Sequence, residues 1–186
     1  MPYIDTKNDI PGIRSLMSYR PETGSVLNQF AQVLLADDAS LSKNERELIA
    51  AFVSSGNQCR FCMGTHAAIA AHHEGGSEEL SKAICTDFEN AAISDKMKSL
   101  LRIADKVRVS GRLVTPQDVA DARNQGANDA DIHDTVLIAA AFCMFNRYVD
   151  GLGATTPDDP GFYRQVGEQR AREGYLTKSF LVSDSA

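Results

Sequence analysis

Long apolar runs, basic clusters and alternating patterns are what this 186-residue sequence has least of, and each shortage excludes something. No stretch approaches the roughly 20 apolar residues that a membrane-spanning helix needs. The opening MPYIDTKNDIPGIRSLM lacks the basic start and following apolar run of a secretory signal, so the expectation is a cytoplasmic protein with no membrane partner. Nineteen Lys and Arg against 25 Asp and Glu leave a net charge of −6 without a basic block, which argues against nucleic acid as a partner. Four cysteines without an export signal argue against a disulfide scaffold, because cytosolic thiols stay reduced unless a disulfide forms and breaks during function. Sustained period-two alternation is missing as well, which removes the main signal for strands.

What remains is helical, and the fold class expected is all-α. With 43% hydrophobic residues the chain can bury one sizeable core, so residues 1–186 are read as a single domain. Pro11, Gly12, Pro21 and Gly24 suggest an irregular N-terminal arm over about 1–25, and the last residues, about 177–186, read as a loosely held tail. Val26, Leu27, Phe30, Val33 and Leu34 follow helical spacing. Ser42 with Glu45 three residues on is a capping box, opening a helix that should turn Leu48, Ile49, Phe52 and Val53 inward. Gly56 and Asn57 mark its end, and a second helix should run from Cys59 to about His73. Further starts fall at Ser77, Ser94, Thr115 and near Asn128, with stops at Gly111, Gly126 and Gly151. Residues 136–145 are apolar almost all round, as in a helix buried in a core or against another subunit, and residues 155–160 read as a loop.

Chemistry concentrates around Cys59 and Cys62. Three positions apart on a helix, they share one face and can close a disulfide with modest adjustment at the first turn. That turn carries unpaired N–H groups and positive dipole potential, which should lower a cysteine pKa. His66 lies one turn beyond Cys62, making Cys62 the better candidate nucleophile. Glu47 precedes Cys59 by 12 positions, and a tight turn at Gly56 and Asn57 would fold its helix back antiparallel, so its carboxylate could orient His66. In that arrangement Cys62 thiolate would attack a hydroperoxide to give a sulfenic acid, Cys59 would condense with it to a disulfide, and an external dithiol donor would reduce the pair. No cofactor and no metal are required.

Glu47, the Cys59-Arg60-Phe61-Cys62 core and His66 at this spacing resemble the active-site pattern of the alkylhydroperoxidase D and carboxymuconolactone decarboxylase superfamily. The segment AFCMFNRYVDGLG at 141–153 is similar to the corresponding helix end in its peroxidase-related branch. The resemblance implies an all-helical antioxidant fold assembling as a homo-oligomer, trimer or hexamer. It also implies a peroxidatic Cys62, a resolving Cys59, a proton relay through Glu47 and His66, and a thioredoxin-like or other dithiol donor. Phe61 departs from the pattern, standing where the best-studied members carry an extra histidine.

Other readings stand beside this one. Cys59, Cys62, His66 and Glu47 are acceptable zinc ligands, although structural zinc sites usually draw a second closely spaced pair from elsewhere. A lyase of the carboxymuconolactone decarboxylase type has no use for a vicinal dithiol, whereas a redox sensor or adaptor without its own peroxidase turnover would use one. Cys143 reads as a core residue and His72 and His73 as a polar helix end. His133 is placed on an exposed helix side or at a subunit contact. Asn146, Arg147 and Asp150 interrupt an apolar helix, which suggests an Arg147 ion pair or a subunit contact.

Overall fold

Side-chain caps open the helices where the sequence places them, as a computed structural model describing residues 2–176 makes visible. Ser42 Oγ accepts the Glu45 N–H at 3.2 Å and Glu45 Oε2 accepts the Ser42 N–H at 2.9 Å, the reciprocal pair that starts the helix Lys43–Gly56. Ser77, Ser94, Thr115 and Asn128 open the helices Glu78–Asp87, Asp95–Val109, Pro116–Asn124 and Asp129–Gly151. Asn57 closes Lys43–Gly56, and Arg60–His72 follows it. No strand occurs among the described residues, so the all-α expectation holds. None of their helices is long and apolar enough to cross a membrane. The tail expected over about 177–186 lies outside the described residues.

Three elements differ from the sequence reading. The arm expected to be irregular to about residue 25 already contains the helices Ile13–Tyr19 and Pro21–Ala31. Pro21 sits at the first position of the second, where its missing N–H has no intrahelical partner to lose. That helix widens into a single π turn, Gln32–Ala36. The buried Arg46 guanidinium donates to the carbonyls of Leu34 at 3.2 Å and Asp37 at 2.6 Å, satisfying the loosened turn. After the loop at 155–160, Asp159 caps a further helix, Pro160–Glu173. In chain order the nine α-helices among the described residues are α1 (Ile13–Tyr19), α2 (Pro21–Ala31), α3 (Lys43–Gly56), α4 (Arg60–His72), α5 (Glu78–Asp87), α6 (Asp95–Val109), α7 (Pro116–Asn124), α8 (Asp129–Gly151) and α9 (Pro160–Glu173).

α3 runs through the middle of the core. Leu48, Ile49, Ala50 and Val53 are buried together with Leu100, Leu101 and Ala104 of α6 and Ile138, Phe142 and Phe145 of α8. α8 is less enclosed than its composition suggests, since Ala140 and Met144 on its outer side are exposed. α3 and α4 form an antiparallel pair. Cys59 N–H donates to Ser54 O at 3.0 Å next to the turn, His66 meets Glu47 further out, and Asn44 Nδ2 donates to Ala70 O at 2.8 Å beyond that. α9 lies across α4 on the other side, with Gly167 against the backbone of Ala68.

Candidate active site

The two cysteines sit where α4 begins. Gln58, not Gly56 or Asn57, takes the left-handed conformation at the turn, with φ of 62°. Cys59 then occupies the N-cap position, its carbonyl accepting the Met63 N–H at 2.9 Å, and Cys62 falls in the first helical turn. Both carry free thiols and both are buried, Cys59 at 0% exposure and Cys62 at 3%. With Leu16, Phe61, Val149 and Ala154 they form a small apolar cluster apart from the main core.

That burial overturns the expected drop in cysteine pKa. The neighbouring Cys59 thiol, then desolvation, hold the Cys62 thiol well above the ordinary cysteine range. Asp150 adds to the shift, and only the Asn146 amide works against it. The helix start supplies favourable potential, but a thiol with almost no solvent contact and a second thiol beside it remains protonated.

Glu47 is 1% exposed, so it is not the solvated surface carboxylate that its neighbour Glu45 resembles. Its Oε2 lies 2.7 Å from His66 Nδ1. Its Oε1 accepts a hydrogen bond from the Tyr175 hydroxyl at 2.6 Å. Phe142 and the His66 ring pack edge to face with centroids 4.5 Å apart, which holds the imidazole from the side of α8. Because Nδ1 is committed to Glu47, Nε2 is the ring nitrogen left to exchange a proton.

Cys62, His66, Thr65 and Tyr175 line one cavity of about 70 Å³, walled by Phe61, Phe142, Phe145 and Phe162. Cys59 does not reach it. The buried Thr65 hydroxyl has no hydrogen-bond partner, which leaves an oxygen available in an otherwise apolar space. A larger cleft of about 490 Å³ on another face of α4 holds Arg60, Met63, Tyr163 and Cys85 but none of Glu47, Cys59, Cys62 and His66.

Of the four residues singled out in the sequence, His66 meets Glu47 and shares a cavity with Cys62, while Cys59 lies beside Cys62 outside that cavity, and two more residues join them. Asn146 is buried beside the cysteine turn, accepting from Asn57 Nδ2 at 2.9 Å and donating to Ser54 Oγ at 3.0 Å. Its signal in the sequence was a polar residue on an apolar helix. Tyr175, 128 positions from Glu47, gave no signal at all. Phe61 packs near Phe162 and Tyr163, with centroids 6.4 and 6.3 Å away, and donates no proton. Arg147 is exposed and donates to Cys143 O at 2.8 Å in its own helix rather than to a buried acid. His133 is exposed against Asp134, and Cys143 is half-buried. Among the described residues no three His, Cys, Asp or Glu side chains converge as metal ligands.

An all-helical chain with a buried dithiol at a helix start and a carboxylate–imidazole pair one turn away defines a class. Residues 21–106, a span holding Glu47, both site cysteines and His66, match the carboxymuconolactone decarboxylase family. An uncharacterized peroxidase-related protein from Ralstonia eutropha JMP134, described as an alkylhydroperoxidase AhpD core, is 26% identical with a TM-score of 0.76, covering 86% of this chain and 82% of its own. A peroxidase-related protein from Silicibacter sp. TM1040 is 24% identical with a TM-score of 0.75, covering 83% and 79%. A protein from Agrobacterium tumefaciens described as a putative antioxidant defence protein shares the fold at 19% identity and TM-score 0.65, covering 77% and 97%. No curated protein matches the chain. Residues 21–106 thus match the carboxymuconolactone decarboxylase family, and the described residues share the fold of alkylhydroperoxidase-like, peroxidase-related proteins.

Proposed function

We propose that this protein is a cytoplasmic thiol peroxidase that reduces hydrogen peroxide or organic hydroperoxides through a Cys62–Cys59 dithiol–disulfide cycle. The observation that carries the reading is the shared cavity: Cys62, and not Cys59, opens on the space that also holds His66, and Glu47 backs the imidazole from behind.

The buried Cys62 starts as a thiol. As peroxide enters, His66 Nε2 takes the Cys62 proton, and the imidazolium is stabilised by the Glu47 carboxylate at Nδ1. The sulfur attacks the terminal peroxide oxygen. An S–O bond forms, the O–O bond breaks, sulfur is oxidised to sulfenic acid, and the leaving alkoxide or hydroxide takes the proton back from His66. Cys59 then attacks Cys62, forming the disulfide and releasing water. An external dithiol returns both sulfurs to thiols and is itself oxidised to a disulfide. The descriptions of the relatives support a role for this chemistry in antioxidant defence, and a homo-oligomer is the assembly in which we expect it.

Stopped-flow mixing of the reduced protein with hydrogen peroxide and with an organic hydroperoxide tests the reading. Cys62→Ser should abolish consumption, and Cys59→Ser should permit one turnover that leaves a trappable sulfenic acid on Cys62. Wild-type consumption by Cys62→Ser would overturn the mechanism, and a sulfenic acid on Cys59 in Cys62→Ser would reverse the two roles.

A further inference from the structure

One carboxylate, Glu47, is shared by two donors from distant parts of the chain. Tyr175 holds Oε1 at 2.6 Å while His66 Nδ1 lies 2.7 Å from Oε2. The phenol oxygen is also 3.5 Å from His66 Nδ1, and the two rings are nearly parallel, 16° apart with centroids 6.4 Å away.

Tyr175 reaches this position by a specific route. α9 ends at Glu173, and Gly174 then turns the chain with φ of 69°, a conformation that side chains other than glycine resist. A Cβ there would stand 2.5 Å from Gln32 Oε1. That same oxygen accepts the Tyr175 N–H at 2.7 Å, tying the turn to the π-helical segment after α2. Arg170 comes back from the last turn of α9, donates to Gly174 O at 2.9 Å and lies over the phenol ring at 5.1 Å. The backbone is held on one side and the ring on the other, which fixes the hydroxyl on Glu47.

Chemically the second donor matters because a buried carboxylate is short of solvation. With His66 alone, Glu47 would be free to rotate and would compete for the proton it is meant to orient. A second donor spreads the charge and leaves one oxygen facing His66. Burial, then the Glu47 charge, raise the Tyr175 phenol well above its ordinary range, so it remains a donor throughout the working pH range. Arg46 on α3, Arg170 on α9 and His73 after α4 also face Glu47, while Cys62 and Arg14 share the cavity with His66.

We propose that Tyr175 is a positioning residue acting through Glu47. Its hydrogen bond orients the carboxylate and takes up part of its charge, so that Oε2 faces His66 Nδ1 and Nε2 is left open to the Cys62 proton. The proposal rests on the reading of Glu47 and His66 as the proton-handling pair, and its test carries a readout that needs no peroxidase activity.

In Tyr175→Phe the acid limb of the peroxide rate profile should move up by about one pH unit, because hydrogen bonds to charged groups are worth about that much. The rate at neutral pH should fall roughly tenfold, and the His66 titration followed by nitrogen-15 NMR should shift in the same direction. Placing 3-fluorotyrosine at 175, which keeps the shape but donates more strongly, should move both the other way. In a Glu47→Gln background neither change at 175 should shift the titration, a dependence that a merely structural tyrosine would not show. If His66 titrates unchanged in both 175 variants, the proposal is wrong, and the fluorotyrosine protein decides alone should Tyr175→Phe fail to fold. If the titration shifts while wild type consumes no peroxide, the coupling stands and the peroxidase reading falls.

Discussion

His66 Nδ1 and Glu47 Oε2 meet at 2.7 Å across the α3–α4 pair, nineteen residues apart in the chain and almost wholly out of solvent. An imidazole tied in this way is worth testing by a change that keeps shape and removes charge. Glu47→Gln should fold, yet the amide cannot stabilise an imidazolium as the carboxylate does. Peroxide consumption is expected to fall on the order of a hundredfold, the usual scale for losing general-base assistance. A stopped-flow rate equal to wild type would reduce the pair to scaffolding.

The state of Cys62 gives a second expectation, with a defined sign. Because the Cys59 thiol and burial hold its pKa above the ordinary range, the thiolate fraction at neutral pH is small and grows as pH rises. Alkylation of Cys62 by iodoacetamide, followed by mass spectrometry, should therefore accelerate about tenfold per pH unit between roughly 7 and 9. Cys59→Ala removes the largest cause of the shift and should make alkylation faster at pH 7. A rate that levels off below pH 7 would mean that the helix start prevails over burial.

The α3–α4 pair and its four chemical residues were legible because every signal was local. The capping box at Ser42 and Glu45 fixed the start of α3, the turn after Gly56 fixed the reversal, and spacing of three and four residues placed Cys59, Cys62 and His66 on one side of α4. Burial was not local. Whether Cys62 faces water or the apolar cluster of Leu16, Val149 and Ala154 is decided by α1 and the end of α8, so the direction of its pKa could not be read from the helix start alone. Tyr175 was invisible for the same reason. Its link to Glu47 depends on α9, whose polar composition shows no strong apolar stripe and which packs on α4 through the absence of a side chain at Gly167.

Cys85 supplies a stability expectation at alkaline pH. Burial pushes its thiol from the ordinary 9.0 up to about 11, with Ser55 opposing, so the folded protein holds this proton more tightly than the unfolded chain does. The contribution is complete below about pH 9 and is lost as pH rises towards 11. Urea unfolding at pH 7 and pH 10.5 should show a loss of stability at the higher pH that is smaller in Cys85→Ala than in wild type. Equal losses in the two proteins would place the alkaline sensitivity elsewhere, with Tyr175 and Cys62 the next groups to replace.

Gly167 and Gly151 make a matched pair of glycine-to-alanine changes with opposite expected signs. Both lie in helices, where alanine is favoured over glycine by up to about 1 kcal/mol. At Gly151 a Cβ would meet nothing within 4 Å, so Gly151→Ala should leave stability unchanged or raise it slightly. At Gly167 the same Cβ would stand 2.7 Å from the carbonyl carbon and oxygen of Ala68, which are backbone atoms of α4 and cannot rotate aside. The helices must separate, at a cost of about 1–3 kcal/mol, the usual range for overpacking, which outweighs the propensity gain. For a chain of this size that corresponds to a fall in Tm of about 2–4 °C per kcal/mol. The displacement also acts at a distance, because Tyr175 follows the end of α9 and any movement of that helix lengthens its bond to Glu47. Gly167→Ala should accordingly lower the peroxide rate in proportion to the effect of Tyr175→Phe. A Gly167→Ala protein as stable and as active as wild type would show that α9 is not held against α4 as closely as this packing requires.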